Sequence, residues 1–143
     1  QGIPLASNQL PYSLLNREAE KKGVLARCKE LGIRFIAYSP LAQGLLTGKY
    51  SADNPPPGVR GSSYAELLKK LPPVIKTLQD IAQTHGKTVS QVALNWIICK
   101  GALPIPGAKN AKQAADNAGG AGWHMSEDEV AKLDEVTDRI RTY

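Results

Sequence analysis

The chain has 143 residues, 42% apolar and 22% charged, and its 18 basic and 13 acidic residues give a net charge of +5. This composition is that of a single soluble globular domain and excludes a disordered chain, which would carry too little apolar surface to fold. The basic residues are scattered, and the densest pairs, Lys21-Lys22 and Lys69-Lys70, lie among acids and leucines, so no nucleic-acid-binding patch is read.

No apolar run approaches the roughly 20 residues that cross a bilayer, and the amino end lacks the charged-then-apolar layout of a signal peptide. Residues 3 to 9, IPLASNQ, read as a short strand, with Pro4 tolerable at its start. The chain opens without Met and inside this strand, so an upstream portion is expected. Residues 18 to 31 place Val24, Leu25, Cys28 and Leu31 on one face of an amphipathic helix, which Gly32 ends. Residues 33 to 38, IRFIAY, form a second strand, broken at once by SPLAQG. Residues 39 to 63 are rich in Gly, Pro and Ser, and a loop of that length inside a compact domain is expected at a ligand.

Helical spacing resumes at 64 to 71 and at 74 to 85, the second with Val74, Ile75, Leu78, Ile81 and Ala82 on one face and Gly86 as terminator. Thr88 and Gln91 have the spacing of a capping box opening a helix over 89 to 99, and Ser126 and Glu129 repeat it before a helix over 127 to 140. Between them, ALPIP at 102 to 106 reads as a third strand and 110 to 118 as a helix. No hairpin signal joins the strands, so they are expected to run parallel with helical crossovers. Cys28 and Cys99 lie far apart in apolar helical patterns and read as buried free thiols. His85 and His124 read as a helix-end and a loop histidine without ligand spacing, Trp96 as core, and Trp123 as the cover of a helix joint. No Ser/His/Asp or Cys/His arrangement can be built from these residues.

Parallel βα architectures present ligands at the carboxyl ends of their strands. Gln9, then Tyr38 with SPLAQG, then GAKNAKQ occupy those ends. Lys109, where the third strand turns into a helix, is either an ordinary solvent-facing loop lysine or, with a Gly before it and a helix start after it, part of a phosphate site. Tyr38 is either a packing residue or a ring face for a planar ligand. Gln9 is either a strand-end amide bonded to backbone or an amide that reads another amide.

Four blocks, ASNQLPYSLL, AYSPLAQGLLTGKY, VSQVALNWI and PIPGAKNAKQAADN, together resemble the carboxyl-terminal portion of aldo-keto reductases, in the branch that includes plant plastid and bacterial members and potassium-channel beta subunits. The resemblance covers nearly the whole chain. It implies an α/β fold, a partial (β/α)8 TIM barrel made of the last three βα units plus C-terminal helices, forming one incomplete domain over residues 1 to 143 that binds NADPH (NADP+) without a Rossmann fold.

By this resemblance Gln9 bonds the nicotinamide carboxamide and Tyr38 carries the nicotinamide ring. Ser39, Leu41, Gln43 and Gly44 meet the pyrophosphate, and Lys49 and Arg60 close over the cofactor as a belt. Gly107, Lys109 and Gln113 form the 2′-phosphate and ribose site, and Asp116 and Asn117 hold the adenine. Many relatives have a Lys-Ser pair at 107 and 108, an Arg at 113 and a Glu at 116, so Lys109 is left with most of the charge on the 2′-phosphate. The catalytic Asp, Tyr, Lys and His, and the Ser-Asn pair that shares the carboxamide, are expected upstream, and no catalytic or metal-binding residue is assigned within the chain.

The expected activity is reduction of an aldehyde or ketone to an alcohol by an oxidoreductase whose barrel is completed by the missing N-terminal half, with this chain inactive alone. The alternative is an NADPH-binding regulatory or interaction subunit like the channel beta subunits. Partners are a small carbonyl substrate and no nucleic acid or membrane. The expected location is intracellular and soluble, with the chloroplast ahead of the cytoplasm by resemblance.

Overall fold

The structure, a computed structural model, describes residues 2–140. Its centre is a three-stranded parallel sheet in the order β1 (Ser7–Pro11), β2 (Arg34–Tyr38), β3 (Leu103–Pro104), with Gln9 opposite Ile36 and Ile36 opposite Leu103. The first crossover holds α1 (Glu18–Lys21) and α2 (Val24–Glu30). The second holds a 3-10 segment (Ala42–Thr47), α3 (Val59–Ser63), α4 (Ala65–Lys70), α5 (Pro72–His85) and α6 (Val89–Cys99). After β3 come α7 (Ala111–Ala118) and α8 (Glu127–Asp138).

β1 starts four residues later than its sequence pattern suggests, because its length is set by its partner. The Arg34 N–H donates to Ala6 O at 3.0 Å, and residues before that point are exposed with nothing to pair with. Gln9 is therefore mid-strand. β3 shrinks to two residues because Pro104 and Pro106 have no N–H to donate, although Ile105 N–H still reaches Ala37 O at 3.0 Å. The helix expected over 18 to 31 is broken by Gly23, whose φ of 74° sends the chain into the left-handed region. Leu31, expected on its packed face, is exposed.

α5 opens with Pro72 and Pro73, which lose nothing at a helix start whose N–H groups have no intrahelical partner, and it stops at Gly86. Both capping boxes form: Thr88 Oγ1 accepts from Gln91 N–H while Gln91 Oε1 accepts from Thr88 N–H, and Ser126 and Glu129 do the same. α6 is buried from Val92 through Ile97, because it lies between the sheet and the outer helices. Under it, the Tyr12 ring stacks on Trp96 at 5.3 Å and takes Phe35 edge-on at 5.7 Å. Burial of each such large side chain contributes about 1.5–3 kcal/mol.

Phe35 and Ala37 of β2 face the helices and are buried, whereas the opposite face carries Tyr38, Leu103 and Ile105 at 40%, 48% and 43% exposure. Parallel sheets are normally covered on both faces. Here the helices cover one.

Away from the sheet's carboxyl ends, α1, α6 and α8 are joined by an ion network that sequence spacing does not disclose. Glu20 receives Tyr12 Oη at 2.8 Å, Arg17 at 2.9 Å and Lys100 at 2.7 Å, while Asp134 receives Trp96 Nε1 and Lys100, both at 2.9 Å. Burial opposes the charge on Glu20, but the bonds from Arg17, Lys100 and Tyr12 outweigh it and hold the carboxyl down at about 2. Burial, then the nearby Glu20 carboxylate, pushes the Tyr12 hydroxyl far up.

Candidate functional site

The turn after β2 is the most constrained backbone in the chain. Ser39, Ala42 and Gln43 all have positive φ, at 52°, 48° and 55°, followed by Gly44 at 93°. A non-glycine residue held there costs about 1–3 kcal/mol, and such costs concentrate where a backbone is shaped for a ligand. The turn is closed by Ala42 N–H to Ser39 O, Gly44 N–H to Leu41 O and Thr47 Oγ1 to Gly44 O, and it is anchored by the buried Leu45 and Leu46. At Gly44 a side chain would also press on the Tyr50 ring at 3.2 Å.

Facing that turn is the segment from Ile105 to α7. Asn110 caps α7 by accepting Gln113 N–H at 2.9 Å, and Gln113 Oε1 accepts the Lys109 backbone N–H at 2.7 Å. Asn117 Nδ2 donates to Gly107 O at 3.2 Å and braces the strand-to-helix turn from behind. α7 is in turn fastened to the start of α6 through Asp116, whose Oδ1 receives Gln91 Nε2 at 3.1 Å and the Thr88 hydroxyl at 3.4 Å, while Gln91 Nε2 also reaches Asp116 O at 2.9 Å. The approach is close enough that a Cβ on Gly119 would lie 2.3 Å from Gln91 Nε2.

Between these walls is a cleft of about 800 Å³, within the range of about 300–1,000 Å³ usual for small-molecule sites. Ser39, Leu41, Gln43, Gly44, Lys49, Arg60, Gly107, Lys109, Gln113, Asp116 and Asn117 all line it, so residues named from separate stretches of sequence meet at one site. Lys49 reaches it from the loop after the 3-10 segment and Arg60 from α3, a helix inside the stretch expected to be loop. Among the described residues none of Lys49, Arg60 and Lys109 pairs with a carboxylate, in contrast to Arg17 and Lys100. Among the described residues, three cations without a carboxylate partner stand around the acid Asp116, itself already tied to Gln91 and Thr88, and make a cavity suited to an extended anion.

Gln9 and Tyr38 lie outside this cleft. They share the sheet's open face, Gln9 in the row of Ile36 and Tyr38 in the row of Pro11. Tyr38 lines an adjoining hollow of about 340 Å³ with Pro11, Asn16 and Tyr64, and the two cavities meet at Ser39 and Gln43. Sequence reasoning missed Ser90 and Tyr50 in the cleft lining. Ser90 lies inside the TVSQ cap, a signal read for helix initiation alone.

The histidines have partners that sequence distance concealed. His85 Nε2 lies 2.9 Å from Glu129 Oε1, and His85 packs on the Trp123 ring at 4.8 Å, at the joint of α5 and α6. His124 Nδ1 lies 3.8 Å from Cys99 Sγ. Cys28 is buried, but Cys99 is only half-buried and bonds Asn95 Oδ1 at 3.3 Å. Among the described residues no group of three or more His, Cys, Asp or Glu side chains is placed to hold a metal ion, and no helix is long and apolar enough to cross a membrane.

Over 134 residues the chain is 46% identical to the chloroplastic pyridoxal reductase of Arabidopsis thaliana, spanning 94% of this chain and 37% of that protein. It is 30% identical over 153 residues to probable pyridoxal reductase 2 of Schizosaccharomyces pombe, spanning 99% and 46%. Among solved structures, the glycerol dehydrogenase of Gluconobacter oxydans superposes with a TM-score of 0.85 at 26% identity, over 96% of this chain and 43% of that one. The chain thus spans less than half the length of these relatives, and its three-stranded parallel sheet with flanking helices is part of an aldo-keto reductase TIM barrel. The family model for aldo/keto reductases matches residues 1–138, and with the shared fold this shows that the chain belongs to the aldo/keto reductase family.

Proposed function

We propose that this chain is the carboxyl-terminal, NADPH-binding part of an aldo-keto reductase barrel that reduces an aldehyde or ketone to an alcohol. The observation that carries this reading is the convergence of Lys49, Arg60 and Lys109, unpaired with any carboxylate among the described residues, on the cleft whose far wall is the left-handed turn at 39 to 44. The residues present fit a dinucleotide phosphate. Lys109 meets the 2′-phosphate, with Gln113 Nε2 beside it as a donor, since Oε1 is already engaged by the Lys109 backbone. The turn residues Ser39, Leu41, Gln43 and Gly44, which line the cleft, face the pyrophosphate, and Lys49 and Arg60 close over it.

Tyr38 offers its ring face and Gln9 its amide on the sheet's open side, where a nicotinamide is held flat and oriented. Bound NADPH supplies the hydride. The residues of this chain position it and neutralise phosphate charge, and the proton donor is a tyrosine expected outside this chain. The chain alone is therefore inactive. A chloroplast location is proposed from the chloroplastic relative.

The test is NADPH oxidation by the full-length protein with a panel of carbonyl compounds headed by pyridoxal, the aldehyde that both pyridoxal reductase names indicate. Saturable, aldehyde-dependent loss of NADPH absorbance supports the reading. Tight NADPH binding with no turnover on any carbonyl favours a regulatory subunit, and no NADPH binding overturns the site assignment.

A further inference from the structure

Gln91 was read from sequence as a capping residue, yet its side chain does more than cap. Its Oε1 accepts the Thr88 N–H at 3.1 Å, which completes the cap of α6. Its Nε2 points the other way and donates to both Asp116 O and Asp116 Oδ1, at 2.9 and 3.1 Å. The Thr88 hydroxyl adds a second donor to the same carboxylate oxygen at 3.4 Å. One amide thus fixes the start of one helix and, among the described residues, the only acid lining the cleft. Gly119 keeps the contact tight, since any side chain there would collide with Gln91 Nε2.

We infer that Gln91 is a positioning residue for base recognition: by holding Oδ1 of Asp116, it sets the carboxylate so that the cleft accepts a purine carrying an exocyclic amine and rejects one carrying a carbonyl at that position. The inference rests on the proposed reading that the cleft holds an adenine nucleotide with Asp116 at the base. A carboxylate is an acceptor only, so it bonds the 6-amino group of adenine and repels the 6-oxo group of hypoxanthine. That discrimination requires a fixed carboxylate, because one free to rotate can turn away from the wrong base. Two donors on one oxygen remove that freedom while leaving the other oxygen of Asp116 for the ligand.

The test measures the affinity of the full-length protein for NADPH and for its hypoxanthine counterpart, in wild type, Gln91→Glu and Gln91→Ala. Wild type is expected to prefer NADPH by about tenfold or more, the worth of one charge-assisted hydrogen bond. Gln91→Glu retains the acceptor that completes the cap, as in the usual form of a capping box, but loses the donor to Asp116. Its second carboxylate oxygen would stand against Asp116 O and Oδ1, which repel it, so the Asp116 carboxylate is expected to turn away, with some loss of melting temperature, and the base preference to fall toward one. Gln91→Ala loses both functions and lowers melting temperature and preference together. A purely structural role would reduce affinity for both nucleotides equally, so a preserved ratio in Gln91→Glu overturns the inference. Equal binding of the two nucleotides by wild type also overturns it, leaving the NADPH site intact, whereas failure of wild type to bind either one overturns the proposed function as well.

Discussion

The backbone N–H of Lys109 donates to Gln113 Oε1 at 2.7 Å, which closes the turn ahead of α7 and leaves the lysine ammonium, unpaired among the described residues, as the group that meets a ligand. If that ammonium binds the 2′-phosphate, Lys109→Ala in the full-length protein removes a bond worth about 1.5–3 kcal/mol. NADPH affinity is expected to fall by roughly tenfold to more than a hundredfold, with NADH affinity nearly unchanged. Parallel titration of the two cofactors checks this, and equal losses would place the role of Lys109 elsewhere.

Tyr38 presents its ring at the last position of β2, beside the hollow that meets the main cleft at Ser39 and Gln43. Stacking uses the ring face, so Tyr38→Phe is expected to keep NADPH affinity while Tyr38→Ala loses about 1 kcal/mol or more. Fluorescence quenching on NADPH addition reports both. A Phe variant as impaired as the Ala variant would show that the hydroxyl, not the ring, makes the contact.

The sequence pattern carried the parallel sense of the strands, through the absence of hairpin signals between them, and both capping boxes and the limits of α6, which depend on residues close together in the chain. The lengths of β1 and β3 were less legible, since they depend on what β2 offers to pair with and on the missing N–H groups of Pro104 and Pro106. The same reason hid the Glu20 network and the His85–Glu129 pair, whose members are brought together only by packing. The cleft residues came from family resemblance. Spacing alone left Lys109 and Tyr38 open, and it gave no sign of the left-handed turn at Ser39, Ala42 and Gln43, residue types with no strong preference for that conformation.

Glu20 predicts acid sensitivity. Its folded-state pKa, about 2, lies below the ordinary glutamate range, so its contribution is fully present above that range and is lost as pH falls through it toward about 2. Urea midpoints are expected to drop between about pH 5 and about pH 2.5 more steeply in wild type than in Glu20→Gln, which forgoes the ion pairs at every pH. Parallel curves for the two proteins would contradict the assignment.

Asn95 is fully buried and serves four partners: its Nδ2 donates to Gly120 O and Trp123 O at 2.9 and 2.7 Å, and its Oδ1 accepts from Met125 N–H and the Cys99 thiol. Asn95→Ala strands the buried Gly120 carbonyl, the part-buried Trp123 carbonyl and the buried Met125 N–H between α7 and α8, a loss of about 3 kcal/mol or more. Denaturant unfolding with an unchanged slope measures it. A loss under about 1 kcal/mol would mean that water replaces the amide.

The central claim is that the cleft built by the turn after β2 and the start of α7, together with the adjoining hollow at Tyr38, holds NADPH. A crystal structure of the full-length protein with NADPH bound tests it directly. The account predicts the 2′-phosphate against Lys109, the pyrophosphate along residues 39 to 44 and the nicotinamide on the Tyr38 ring. A nucleotide bound elsewhere, or this cleft empty at saturating NADPH, would contradict it.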